Sequence, residues 1–131
     1  MQTIKATYSG LDVNVTIHHN TLLFGDSGLG KTFLLTILSD YFLENDISYA
    51  HFDYNDIYFT LDEIKSIASN RDFVLMDSAD LYMTPELFSY LKSLNNYKVI
   101  SLKNIKDLDL TNVDMTLVKF KENSLRTFVI V

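Results

Sequence analysis

The stretch from Leu22 to Leu43 limits what this chain can fold into more than any other. Leu22-Leu23-Phe24 is an apolar run of strand length, a loop containing Gly25, Gly28 and Gly30 follows, and Leu34, Ile37, Leu38 and Tyr41 then recur at helical spacing over Phe33–Leu43. The pattern predicts strand, loop and helix in immediate succession.

The same alternation continues down the chain. Ile47–Phe52 reads as a strand. Thr60–Ser69 reads as a helix opened by a Thr60…Glu63 capping box, with Phe59 and Ile64 placed as a hydrophobic staple. Phe73–Met76 is a continuous apolar run ending in Asp77, as expected of a parallel strand covered on both faces. Thr84 and Pro85 supply the cap and first-turn proline of a helix running to about Leu94, Asn95-Asn96 closes it, and Tyr97–Leu102 is the next strand. At the two ends the period changes to two. Thr3–Tyr8 and Leu11–Ile17 alternate about Ser9-Gly10, and Met115–Phe120 and Leu125–Val131 flank the polar turn Lys121–Ser124, so each end reads as a β-hairpin. The expectation is an α/β fold in which four parallel strands, joined by right-handed helical crossovers, lie between two antiparallel ribbons.

Composition bounds this reading. A chain of 131 residues, 47% hydrophobic, with one proline, four glycines and no Ser/Gly-rich or Pro-rich tract, is expected to be a single domain over residues 1–131. Net charge is −6 and Arg71 and Arg126 are the two arginines, which argues against direct binding to a nucleic-acid backbone. No apolar run approaches the roughly 20 residues that span a bilayer, and no leader segment is recognisable. The absence of cysteine excludes disulfides and thiolate-metal sites and fits a cytoplasmic location.

The glycine-containing loop carries the chemistry. Gly25-Asp26-Ser27-Gly28-Leu29-Gly30-Lys31-Thr32 fits G-x-x-x-x-G-K-[ST] at every fixed position. Gly25 and Gly30 permit backbone conformations in which successive N–H groups face phosphate oxygens, and the helix that follows offers unpaired amides and a positive dipole end. In that geometry Lys31 reaches the β- and γ-phosphates and the Thr32 hydroxyl coordinates Mg²⁺. Asp77, just beyond the carboxyl end of an apolar strand, stands at the edge where parallel sheets bind ligands and is expected to hold Mg²⁺ through water. His18 and His19 have no Cys, Asp or His partner at metal-ligand spacing.

On Gly25–Thr32 and Phe73–Asp77 the chain resembles the P-loop NTPases, and within them the ATPase branch that includes ABC-type and AAA-type domains. The resemblance implies a three-layer P-loop core with a mostly parallel sheet, an N-terminal antiparallel hairpin and a C-terminal hairpin, with ATP and Mg²⁺ as cofactors. It also implies an aromatic ring stacked on adenine, a role that falls to Tyr8 in the opening hairpin. Departures are informative. No Leu-Ser-Gly-Gly-Gln-like signature occurs, 131 residues leave no room for a helical lid, and Ser78 stands where many relatives have a glutamate that polarises the attacking water. Asp80 and then Asp53, with Lys31, become the candidate catalytic residues; Asp56 lies beside Asp53. Ser101, Lys103 and Asn104 occupy the stretch after the strand Tyr97–Leu102 where sensor-like polar residues often occur in this branch.

The reading that follows is an ATP-binding protein, a small Mg-dependent ATPase that couples nucleotide state to a protein partner or to a second copy completing the site. A non-hydrolysing ATP-binding module is the alternative, motivated by Ser78. A GTPase is a further alternative, but Asp77-Ser78-Ala79-Asp80 lacks the glycine of Asp-x-x-Gly, and Asn104-Ile105-Lys106-Asp107 displaces the lysine of the guanine-reading motif. Two arginines are too few for the lid of a small-molecule kinase. A structural subunit whose loop serves only folding completes the set.

Overall fold

The opening ribbon forms where the alternation predicts it. The computed structural model describes residues 2–24, 30–53, 58–121 and 124–129, without the side chains of 119–121 and 126–129. Strands β1 (Gln2–Tyr8) and β2 (Leu11–Ile17) pair antiparallel around a two-residue turn. Ser9 and Gly10 both take positive φ, 48° and 81°, which suits the turn twist that a tight hairpin prefers and explains the glycine. Strand β3 (Asn20–Phe24) runs to the glycine-containing segment, of which residues 25–29 lie outside the described residues. Helix α1 (Lys31–Glu44) begins directly after Gly30, which caps it at φ 88°.

Strand β4 (Tyr49–Phe52) is two residues shorter than expected, and helix α2 (Leu61–Ser69) opens on the capping box in both directions. Glu63 N–H donates to Thr60 Oγ1 and Thr60 N–H to Glu63 Oε1, each at 3.1 Å. Strand β5 (Phe73–Met76), helix α3 (Pro85–Ser93, capped by the Thr84 hydroxyl) and strand β6 (Tyr97–Ser101) follow. Strands β7 (Asp114–Lys121) and β8 (Ser124–Val129) form the closing antiparallel hairpin.

All eight strands join one sheet in the order β1-β2-β8-β7-β3-β6-β5-β4. This corrects the expected arrangement twice. The parallel block contains β7, β3, β6, β5 and β4, one strand more than the sequence suggested, because β7 pairs parallel with β3. The two ribbons do not flank that block. Both lie on the β3 side, fused where β2 pairs parallel with β8, and β4 is the far edge.

Side-chain alternation divides the apolar core between the two faces. Leu23, Leu75 and Val99 point to one face, where α1 supplies Leu34, Leu35, Ile37, Leu38 and Phe42, and the ribbons supply Val13, Val15, Ile17 and Leu125. Leu22, Val74, Met76 and Ile100 point to the other, covered by Ile64 and Ala68 of α2, Leu87, Phe88 and Leu91 of α3, and the chain from Leu102 to Met115. Phe42 is fully buried and stacks on Phe73 at 4.4 Å between ring centres.

Candidate functional site

The sheet's connections decide where a ligand can sit. From β3 the chain passes into α1 on one face, and from its neighbour β6 it passes into residues 102–113 on the other. The two exits diverge, leaving a crevice at the carboxyl ends of the strands, the position where open α/β sheets bind ligands. A cleft of about 810 Å³ opens there, within the usual size range for small-molecule sites. Its walls include Gly30, Lys31, Thr32 and Phe33 on one side and Asp77, Ser78 and Lys103 on the other.

Of the motif residues, Gly25, Asp26, Ser27, Gly28 and Leu29 lie outside the described residues, as does Asp56. Gly30, Lys31 and Thr32 are placed. Lys31 opens α1 and is 7% exposed; a buried lysine in a cleft at a helix N-terminus is an anion-binding arrangement. The Thr32 hydroxyl donates to Asp77 Oδ1 at 3.2 Å, although the two are 45 residues apart. Strand β6 lies between β3, which leads to α1, and β5, which leads to Asp77, so the contact spans the end of β6. Asp77 is 7% exposed, and its own N–H donates to Phe52 O at 2.8 Å. The Tyr82 hydroxyl, 3.2 Å from Asp77 O and 3.4 Å from Phe52 O, bridges the ends of β4 and β5.

Ser78, next in sequence and on the cleft wall, has φ 50° and ψ 43°, a left-handed conformation that costs a non-glycine residue about 1–2 kcal/mol. The chain turns there into a 3₁₀ turn, Ala79–Leu81, that brings Asp80 against the exit of β6. Asp80 Oδ2 accepts the Lys103 N–H at 2.9 Å, and Oδ1 accepts the N–H groups of Lys103 and Asn104 at 3.1 and 2.8 Å. Its carboxylate thus braces the loop after β6. Asp53 directly continues β4 and, by the Phe52–Met76 pairing, stands level with Asp77 on the neighbouring strand. It is not on the cleft wall.

Tyr8 also stands off that wall. Its hydroxyl donates to Asp40 Oδ2 at 3.0 Å, an interaction that, with the carboxylate's charge, raises the tyrosine's pKa. Its ring meets Phe33 edge to face at 5.9 Å and 84°. Phe33 is the ring that faces the cleft, 40% exposed, and it went unnoticed in the sequence. Its position directly after Thr32 was the available signal, obscured by the 17 Phe and Tyr residues of the chain.

The remaining candidates divide. Ser101 and Lys103 line the cleft, while Asn104 turns its Oδ1 to the Lys106 N–H at 3.1 Å. Arg71 is exposed before β5, at the opposite end of that strand from Asp77, and the Arg126 side chain lies outside the described residues. His18 lies 3.7 Å from Asp114, and His19 stacks on Tyr97 at 4.4 Å, both at the amino end of β3 and away from the cleft. Among the described residues, no group of three His, Cys, Asp or Glu side chains gathers to cage a metal. Magnesium in phosphate sites needs no such cage, since one or two protein oxygens suffice beside water and phosphate. Thr32 Oγ1 and Asp77 Oδ1 are two protein oxygens 3.2 Å apart on this cleft. No helix among the described residues is long and apolar enough to cross a membrane.

Comparison of the chain with protein families, with curated proteins and with solved structures finds no match.

Proposed function

We propose that the cleft binds a nucleoside triphosphate, ATP, with Mg²⁺, on a three-layer P-loop core, and that the protein is a small ATPase answering to a protein partner. The observation that carries this reading is the Thr32–Asp77 hydrogen bond at 3.2 Å inside the cleft, between a residue of the G-K-T motif and the carboxylate closing an apolar strand. The sequence alone gave those residues a shared task, and nothing in a glycine-rich turn requires them to meet.

Mg²⁺, when bound, would supply positive charge to offset that of the phosphates. Thr32 and Asp77 are the residues that would hold it. Lys31 supplies a fixed positive charge to the β- and γ-phosphates, and the amides of the α1 first turn add their dipole. Phe33, backed by Tyr8 and Asp40, offers the aromatic surface for a base. Of the candidate carboxylates, Asp53 is the one level with Asp77, whereas the oxygens of Asp80 are engaged by loop amides. Leu81, 60% exposed on the cleft wall, gives a partner apolar contact at this edge. A cysteine-free chain suits a reducing cytoplasm.

A second reading, an ATP-binding module without turnover, is favoured by Ser78 together with the engaged Asp80. Calorimetric titration tests the shared premise. Wild-type protein binds Mg-ATP, Lys31→Ala weakens binding at least tenfold, and Thr32→Val weakens Mg-ATP more than metal-free ATP. Equal affinities for wild type and Lys31→Ala would sink both readings. Steady-state phosphate release above that of Lys31→Ala selects the ATPase, and its absence in wild type at saturating ATP selects the module.

A further inference from the structure

We propose that the free edge of β4 is a docking strand, which takes from a partner protein an extended segment of alternating basic and apolar residues as an added β-strand. Such docking stands whether or not the cleft binds nucleotide.

An edge strand leaves half of its backbone groups unpaired. In β4 two bonds fix which half. Phe73 N–H donates to Ser48 O at 3.2 Å, and Asp77 N–H donates to Phe52 O at 2.8 Å. Backbone groups alternate sides along a strand, so Ser48, Ala50 and Phe52 face β5, while Tyr49 and His51 turn their N–H and C=O groups to the free side. No strand among the described residues takes those groups. The usual protections of an edge are missing, since Tyr49–Phe52 contains neither lysine nor proline, whereas β1 at the other edge carries Lys5 among exposed Gln2, Thr3 and Thr7. Rings border β4 on both faces of the sheet. Tyr49 tilts against Phe42 at 5.8 Å, and Phe52 meets Phe59 edge to face at 6.0 Å. Phe59 is 37% exposed and Tyr58, next to it in sequence, is 89% exposed. Aromatic rings pair well with β-branched residues across strands, which suits an incoming strand with valine or isoleucine at alternate positions. His51 Nε2 is buried without a hydrogen-bond partner, an unmade bond on this same strand.

Charge selects the occupant. Residues 32–64, which form nearly all of α1, then β4 and the start of α2, hold seven of the chain's 17 acidic residues and none of its 11 lysines and arginines. The rest of the chain is close to neutral, with 10 acids against those 11 bases. Glu44 ends the helix that leads into β4, and Asp62 opens the helix that follows it; both are exposed. Of the nearest bases in sequence, Lys65 is paired with Glu86 at 2.9 Å and Arg71 is followed by Asp72. Two copies of this chain joined edge to edge at β4 would bring like charges together, whereas a basic strand meets opposite charge. Four residues make a short ladder, so charge and backbone bonds act together to hold the segment.

The test is fluorescence anisotropy with three labelled peptides of about ten residues: alternating lysine and valine, alternating glutamate and valine, and the lysine peptide with N-methyl groups on two consecutive central residues. Methylation keeps the charge but removes a backbone donor from each edge of the peptide, a loss on the order of tenfold in affinity. Wild type is expected to bind the lysine peptide about tenfold more tightly than the methylated one and to leave the glutamate peptide unbound. Binding should weaken as salt rises from about 0.05 to 0.5 M. His51→Pro removes an N–H that faces the free side while leaving the bonds to β5 in place, the setting in which an edge strand tolerates proline. It is expected to weaken the lysine peptide about tenfold. Glu44→Lys and Asp62→Lys should each weaken it several-fold, and Asp12→Lys, the same charge change on β2 across the sheet, should leave it within about twofold. Equal binding of the methylated and unmethylated peptides, an effect of Asp12→Lys as large as those beside β4, or no binding of the lysine peptide would each overturn the proposal. So would a dimer of wild type that His51→Pro abolishes, since a second copy would then hold the edge. If His51→Pro does not fold, the comparison of the two lysine peptides on wild type decides the matter without it.

Discussion

Left-handed backbone marks both walls of the cleft, and the two residues that adopt it differ in what they cost. Gly30, at φ 88°, takes it without a Cβ penalty and lets α1 begin at Lys31, whereas Ser78, at φ 50°, bears the strain. Ser78→Gly is expected to raise stability by up to about 1 kcal/mol, the strain relieved less the added unfolded-state freedom, read as a higher urea midpoint. Far from the cleft, Lys98 is a residue the sequence placed inside a strand without comment. It is fully buried, its Nζ donates to Leu94 O at 2.6 Å, and burial pushes its pKa down from 10.5 to about 8. Between those two values the unfolded chain holds the proton and the folded chain has released it, so stability rises with pH across that window. The expected slope approaches about 1.4 kcal/mol per pH unit between pH 8 and 10. It vanishes in Lys98→Met. Urea unfolding of both proteins at three pH values measures the difference; a flat wild-type profile refutes the assignment.

Elements with local causes were legible, and relations between elements were not. Phe73–Met76 was readable to the residue because a strand covered on both faces has no polar position to blur its ends. The start of α2 was readable because its cap is a bond between residues three apart, and Thr60→Ala is expected to cost about 1 kcal/mol in thermal or urea unfolding. Strand β7 was legible as a strand but not as a parallel one, since alternation fixes which side chains share a face and says nothing of which neighbour pairs or in which direction. The position of the ribbons failed for the same reason. In the cleft, the G-K-T segment and Asp77 were found from their spacing and strand context, and their contact at 3.2 Å followed. Asp80 was noticed as an acid, but its acceptor role depends on amides 23 and 24 residues away. Tyr8 and Phe33 are both aromatic, and only the crossing of β1 with α1 decides which ring faces the cleft.

At the scale of the whole molecule, one apolar cluster contains residues from β1, β2, α1, β5, β6, β7 and β8, so neither ribbon nor helix has a core of its own. The parallel joint between β2 and β8 closes this arrangement, with Val13 and Leu125 paired across it and both fully buried. Such a chain should unfold as one unit, and a ligand bound at one edge should protect all of it. At a free concentration a hundredfold above its dissociation constant, Mg-ATP adds about 2.7 kcal/mol to the stability of the folded state. For a chain of this size that corresponds to a rise in Tm of roughly 5–15 °C. The rise is expected to be the same by near-UV signals from the aromatic core and by far-UV signals from the whole sheet, because the ribbons, α1 and the parallel strands share one cluster and the same parallel strands carry the second on their other face. Lys31→Ala, binding at least tenfold more weakly, should cut the shift by about half or more at the same nucleotide concentration while leaving the ligand-free Tm within a few degrees. Two separate transitions, with nucleotide moving only one, would show that the ribbons fold independently of the parallel block and that their union at β2 and β8 contributes little.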